Sequence, residues 1–283
     1  MKSVVFRWLL PLGVAVVCAI LVLVYVRAHV FRASGNAMYP FLDDDNIFYA
    51  ENIDTIHRGD VLMVVNPLDI KRETPRLSVS RCVALPGDKV QIYSKRLYIN
   101  NVLQREDYSS FDTKILLFSP EEKRAAMERY HLTTKNDTLI NTTFILTHNL
   151  YHRIKQDSII TKVEQCIVPD YISDSNLYPY SRQFHFNKDY YGPVTIPFKG
   201  MKIKLNAANY LYFNYLLFHG EGVKLEYRNG AYYLDGIKSD TYTFKHDYYF
   251  LLNDYRDNIS DSRTFGPVST EEVKVRVSSV IFK

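Results

Sequence analysis

Arg58-Gly59-Asp60-Val61-Leu62-Met63-Val64-Val65 and Pro86-Gly87-Asp88-Lys89-Val90-Gln91-Ile92-Tyr93 decide the fold. Each is a Gly-Asp turn opening into a short run rich in β-branched residues, the pattern of a strand entered through a tight turn. Ile47-Phe48-Tyr49-Ala50 is a third such run. Further on, the stretches 223–227 and 231–234 flank Asn229-Gly230, the strongest short signal for a two-residue hairpin. Val273-Lys274-Val275-Arg276-Val277 alternates at period two, as a half-buried strand does. Helices are few. Ser119-Pro120-Glu121-Glu122 reads as a cap with proline at the first helical position, leading into 123–130. The stretch 207–218, ended by Gly220, is the second. The 23 tyrosines and 16 phenylalanines add to the β bias. The expected class is mainly β.

Composition excludes several functions. With 47% hydrophobic and 23% charged residues, the 283-residue chain is not disordered in bulk. A net charge of +4, from 35 basic and 31 acidic side chains, gives no surface for coating nucleic acid. Three cysteines make no disulfide scaffold and no zinc-ligand spacing. Cys82, inside the run 79–85, reads as a small buried hydrophobe, with pairing to Cys166 as the alternative. His148 and His152 would share a face of a helix. The preceding Thr142–Thr147 reads as strand, however, and in a strand that spacing separates them by roughly 13 Å. No metal and no cofactor are therefore expected.

The run from Trp8 to Val26 carries no charge. At about 1.5 Å per residue it covers about 28 Å, the thickness of a bilayer's hydrocarbon core. Trp8 and Tyr25 stand where interfacial aromatics belong, and Lys2, Arg7 and Arg27 flank the run. It is longer than the apolar core of a cleaved signal peptide, the competing reading. These features divide the chain into a membrane anchor at 1–30, a β core made of 31–103 and 190–283, and an α/β insertion at 104–189.

Four segments carry the chemistry. In order they are Ser34-Gly35-Asn36-Ala37-Met38-Tyr39-Pro40; Arg58-Gly59-Asp60-Val61-Leu62; Ser80-Arg81-Cys82-Val83-Ala84-Leu85-Pro86-Gly87-Asp88; and Asn253-Asp254-Tyr255-Arg256-Asp257-Asn258-Ile259-Ser260-Asp261-Ser262-Arg263, followed by Gly266. Each alone is weak. Together, behind an apolar anchor, they resemble the type I signal peptidases, membrane-anchored serine endopeptidases that remove signal peptides from exported proteins. Tyr191-Gly192-Pro193-Val194 and Asp247-Tyr248-Tyr249-Phe250 are most similar to members from Bacteroidetes-type bacteria.

The resemblance implies a signal-peptidase-type β fold and a serine/lysine dyad. A hydroxyl is barely ionised at neutral pH, so an amine of lowered pKa must take its proton. The positions that match are Ala37 for the nucleophile, Ser80 for the base and Ile259 for the hydroxyl that orients the base. All three are substituted. Asn253 and Tyr255 replace the glycine and asparagine that usually bracket the aspartate of the last motif. Met38, Arg81, Asp261 and Arg263, whose implied roles are structural or in the site wall, persist. His29, His57 and His246 lie near the motifs but occupy no dyad position.

Three functions follow as expectations. The first is an inactive family member on the outer face of the cytoplasmic membrane, binding signal peptides of exported proteins or an active paralogue. The second is an active peptidase with a displaced nucleophile. The third is a structural membrane component.

Overall fold

The computed structural model describes residues 2–67, 76–116, 119–132, 141–157, 160 and 162–282; side chains at 2–13, 22, 26, 120, 141 and 142 are not among those described. A helix, Lys2–His29, leads directly into the first strand, Val30–Arg32. The expected membrane span falls on this helix. Among the described residues no helix is long and apolar enough to cross a membrane, and much of the apolar run has side chains outside them.

The main body is β, as the turn-and-strand pattern implies. One seven-stranded antiparallel sheet runs in the order Val30–Arg32, Ile47–Glu51, Val273–Phe282, Val61–Val65, Leu77–Ala84, Tyr248–Leu252, Val268–Ser269. The closing strand extends past Val277 to Phe282 and inserts between the strands at 47–51 and 61–65. A four-stranded sheet takes Tyr190–Thr195, Lys89–Tyr93, Arg96–Ile99 and Val102–Leu103.

The two opening turns are tied to each other. Arg58 Nη2 meets Asp88 Oδ2 at 2.7 Å, and the same oxygen accepts the Leu85 N–H at 2.8 Å. Gly59 N donates to Cys82 O at 2.7 Å and Cys82 N to Asp60 O at 2.8 Å. Gly59 and Gly87 have φ of +99° and +88°, a backbone that L side chains rarely adopt. The hairpin at Asn229-Gly230 has both central residues at positive φ, as a type I′ turn requires.

Both expected helices form, as Pro120–Tyr130 and Ala207–His219, capped by Ser119 and Asn206. The second packs Phe213, Leu216 and Leu217 into the largest core, with Tyr178, Tyr191, Tyr248 and Phe250. Residues 104–190 hold more strand than their sequence announces. Ser110–Leu116 pairs with Asn141–Thr147 on one side and Lys162–Gln165 on the other, over a separate small core of Ile115, Phe144, Leu146, Ile154 and Val163. The sequence announces the strand at 142–147, while few Gly or Pro turns mark the borders of the other two. His148 and His152 are corrected from strand to helix: Thr147 caps the helix His148–Lys155, its Oγ1 accepting the Leu150 N–H at 3.2 Å. Cys82 is a free thiol, fully buried beside Leu62, Leu251 and Phe265, and burial pushes it up to about 12. Cys166 is also free.

Candidate functional site

The last motif forms a loop, 253–261, that closes over the end of the strand Leu77–Ala84. Its floor is made of buried ion pairs. Arg81 Nε and Nη2 grip Asp254 Oδ1 and Oδ2 at 2.7 and 2.5 Å, and Nη1 donates to Gly59 O at 2.8 Å. The guanidinium lies over Tyr108 at 4.4 Å and near the Phe41 ring at 5.4 Å. Burial raises the Asp254 carboxyl above its ordinary range, although Arg81 pulls the other way. Arg263 is 1% exposed and makes two contacts to Asp261, Nε–Oδ1 at 3.0 Å and Nη2–Oδ2 at 2.7 Å. Its remaining N–H groups donate to the carbonyls of Arg256 (2.7 Å), Asn258 (2.9 Å) and Lys188 (3.2 Å). Asp261 also accepts the Asn253 N–H at 3.0 Å. One Asp–Arg pair thus fixes both ends of the loop.

The loop's other anchors join motif residues to partners that no motif marks. Arg256, buried in the loop, pairs with Glu106 and donates to Asn253 O. Asp257 sits between Lys95, at 2.7 Å, and Lys188. Burial pushes the Asp257 carboxyl up, and the two lysines outweigh it, holding it below the usual carboxylate range. Tyr255 Oη donates to Asp112 Oδ1 at 2.6 Å, and Ser110 N donates to Asp254 O at 2.8 Å. The loop therefore leans on the strand 110–116. Glu106, Ser110 and Asp112 lie in a stretch without any motif, and Lys95 sits in what reads as an ordinary turn; only contact reveals them.

The three dyad-related positions differ in surroundings. Ala37 lies on the groove wall, and its carbonyl accepts the Tyr255 N–H at 3.0 Å. Ser80 is fully buried; its hydroxyl donates to Asn253 Oδ1 at 2.7 Å, and Asn253 has no exposed surface either. The Asn253 amide in turn reaches Asn258 O and Oδ1, each at 3.2 Å. A side chain thus occupies the position where a glycine would leave space beside residue 80. The Ile259 side chain is partly buried and packs against the large core. Met38 is buried with Leu42, Phe48, Val61 and Met63, and forms part of the groove floor.

The groove has a volume of about 400 Å³ and runs between residues 31–38 and the strand segment 77–79, with Asn253, Asn258 and Ser260 at one end. The strand Leu77–Ala84 pairs with 61–65 along residues 77–81, but with Tyr248–Leu252 only at Arg81, Cys82 and Ala84. Among the described residues no strand pairs with 77–79 on the side away from 61–65, and these three residues line the groove. Ser34, Ser78 and Ser260 present hydroxyls there. The basic residue on its lining is Arg32, paired with Asp45 at 3.0 Å, and a guanidinium does not give up its proton.

The chain belongs to the signal peptidase family, peptidase S26, whose profile matches residues 5–158 and 192–282. The match runs unbroken through 104–158, so within the stretch read as an insertion only 159–189 lies outside it. Signal peptidase I T of Bacillus subtilis (strain 168) is 32% identical over 110 residues, 36% of this chain and 54% of its own length. Signal peptidase I S of the same strain is 30% identical over 117 residues, 40% of this chain and 59% of its own. Signal peptidase I of Bacillus licheniformis is 31% identical over 120 residues, 40% and 60% respectively. The chain thus aligns with little more than half the length of these relatives.

Proposed function

We propose that this protein acts in signal-peptide processing as a binding member of its family: it holds extended segments of exported proteins in the groove at 31–38 and 77–79 and does not cleave them. The observation that carries this reading is the Ser80–Asn253 hydrogen bond. It fills the base position with two buried neutral side chains, while the adjoining strand edge stays open. An incoming peptide strand draws its affinity from main-chain hydrogen bonds, which need neither nucleophile nor base. Ala37 has no lone pair with which to attack a carbonyl. The Ser34, Ser78 and Ser260 hydroxyls have no lysine or histidine beside them on the described groove lining, which weighs against a displaced dyad.

The reading includes attachment to the cytoplasmic membrane through 8–26, with residues 31–283 on the outer face. The length and apolar character of that run, and the place of the helix immediately before the groove-lining strand, support it. Protease added to intact spheroplasts should digest the protein; full protection would refute the topology. For binding, a photo-crosslinker at Ser78 should capture a synthetic signal peptide, with competition by unlabelled peptide. No competable adduct at Ser78, with capture from a site remote from the groove, would refute the binding reading.

A further inference from the structure

Away from the groove, a cleft of about 520 Å³ opens between the helix His148–Lys155 and the segment 103–109. His148 and His152 stand one turn apart on that helix and both line the cleft. Their Nε2 atoms are 3.1 Å apart, with the rings inclined at 66°. We propose that this pair is a binding site for a borderline divalent cation of the zinc class. Zinc–imidazole bonds are about 2.0–2.1 Å long, so two nitrogens on one ion stand about 2.9 Å apart at a right angle and about 3.4 Å apart at the tetrahedral angle. The observed separation lies inside that window.

The surroundings set the character of the site. Among the described residues no group of three His, Cys, Asp or Glu side chains gathers for a metal, so the protein supplies two ligands and solvent completes the shell. Asp107 and Glu106 contribute negative potential at His148, and Arg96 opposes them. Glu106 is committed to Arg256, whereas Asp107 pairs at the surface with the highly exposed Arg105. Two imidazoles select zinc, copper or nickel over magnesium and calcium, which prefer oxygen. Two neutral imidazoles sharing one proton would show the same separation, and the experiment distinguishes the two arrangements.

Full-length protein in detergent is titrated with zinc against a chromophoric chelator. The expected result is one competing equivalent per chain, undisturbed by magnesium. His152→Gln, a change at an exposed position to a residue that favours helix, should weaken binding at least about tenfold. Cys166→Ser, which alters the thiol next to the cleft residue Gln165, should leave binding unchanged. Electron paramagnetic resonance of the unaltered protein with one equivalent of copper should show coupling to two nitrogens, a readout that requires no variant. No retained zinc, a His152→Gln affinity within twofold of the original, loss on Cys166→Ser instead, or coupling to fewer than two nitrogens would each overturn the assignment.

Discussion

Two neighbouring parts of one site have diverged in kind. The floor is built of buried and half-buried ion pairs: Arg81 with Asp254, Arg256 with Glu106, Arg263 with Asp261, and Asp257 between Lys95 and Lys188. The positions proposed for the dyad hold a methyl group at Ala37, a capped hydroxyl at Ser80 and, at Ile259, a partly buried alkyl chain packed against the core. The difference follows from what each part does for the fold. Removing one partner of a buried pair leaves an uncompensated charge, so the floor cannot erode without unfolding. A nucleophile and its base contribute little to stability and can be exchanged for small or apolar side chains without harm to the scaffold.

The largest test of that contrast is Arg263→Ala. It strands Asp261 and releases two loop carbonyls and that of Lys188, and should cost about 3–5 kcal/mol, read as a clear fall in the melting temperature. An unchanged melt would mean that the floor does not hold the loop. Asp257→Asn comes next, with a loss of about 1.5–3 kcal/mol near neutral pH. The sign follows from the carboxyl being held below its ordinary range: its stabilisation is complete above the unfolded carboxylate pKa and is lost as pH falls through the lower, folded value. The gap between the Asp257→Asn protein and the original should therefore narrow in acid, as measured by denaturant melts across that range. A gap constant with pH would remove the two lysines as its cause.

Asn253→Ala should have a smaller effect. It leaves the buried Ser80 hydroxyl without its acceptor, for about 1–2 kcal/mol in the same melts. Ala37→Trp should have the least effect on stability, because Ala37 stands on the groove wall. It should weaken capture of a signal peptide while the melt stays in place. Equal capture by the Trp variant would move the peptide out of the groove.

The sequence revealed the fold wherever turn chemistry and strand pattern coincide, as at Gly59-Asp60, Gly87-Asp88 and Asn229-Gly230. It was mute where strands lack marked turns, as at 110–116 and 162–165, although it did announce a strand at 142–147. For the site, motif order pointed to Arg81, Asp261 and Arg263; the last two pair two residues apart, whereas Arg81 pairs with Asp254 across 173 residues. Motif order did not locate Glu106, Asp112 or Lys95, whose roles exist only through contacts distant in sequence. The substitutions at Ala37 and Ser80 were legible as chemistry. That Asn253 fills the space at Ser80, and that Ile259 faces the core, required geometry. Restoring Ala37→Ser, Ser80→Lys and Ile259→Ser together should accordingly give no cleavage: the new amine meets Asn253, and the new hydroxyl is directed into apolar packing. Cleavage appearing with those three changes alone would show that Asn253 yields.

The most direct measurement incubates the unaltered full-length protein, free of contaminating host peptidase, with a signal-sequence precursor and scores binding and products on the same sample. The account predicts a saturable complex in which the precursor stays intact. Multiple-turnover release of the mature protein, abolished by Ser34→Ala or Ser80→Ala, would contradict it.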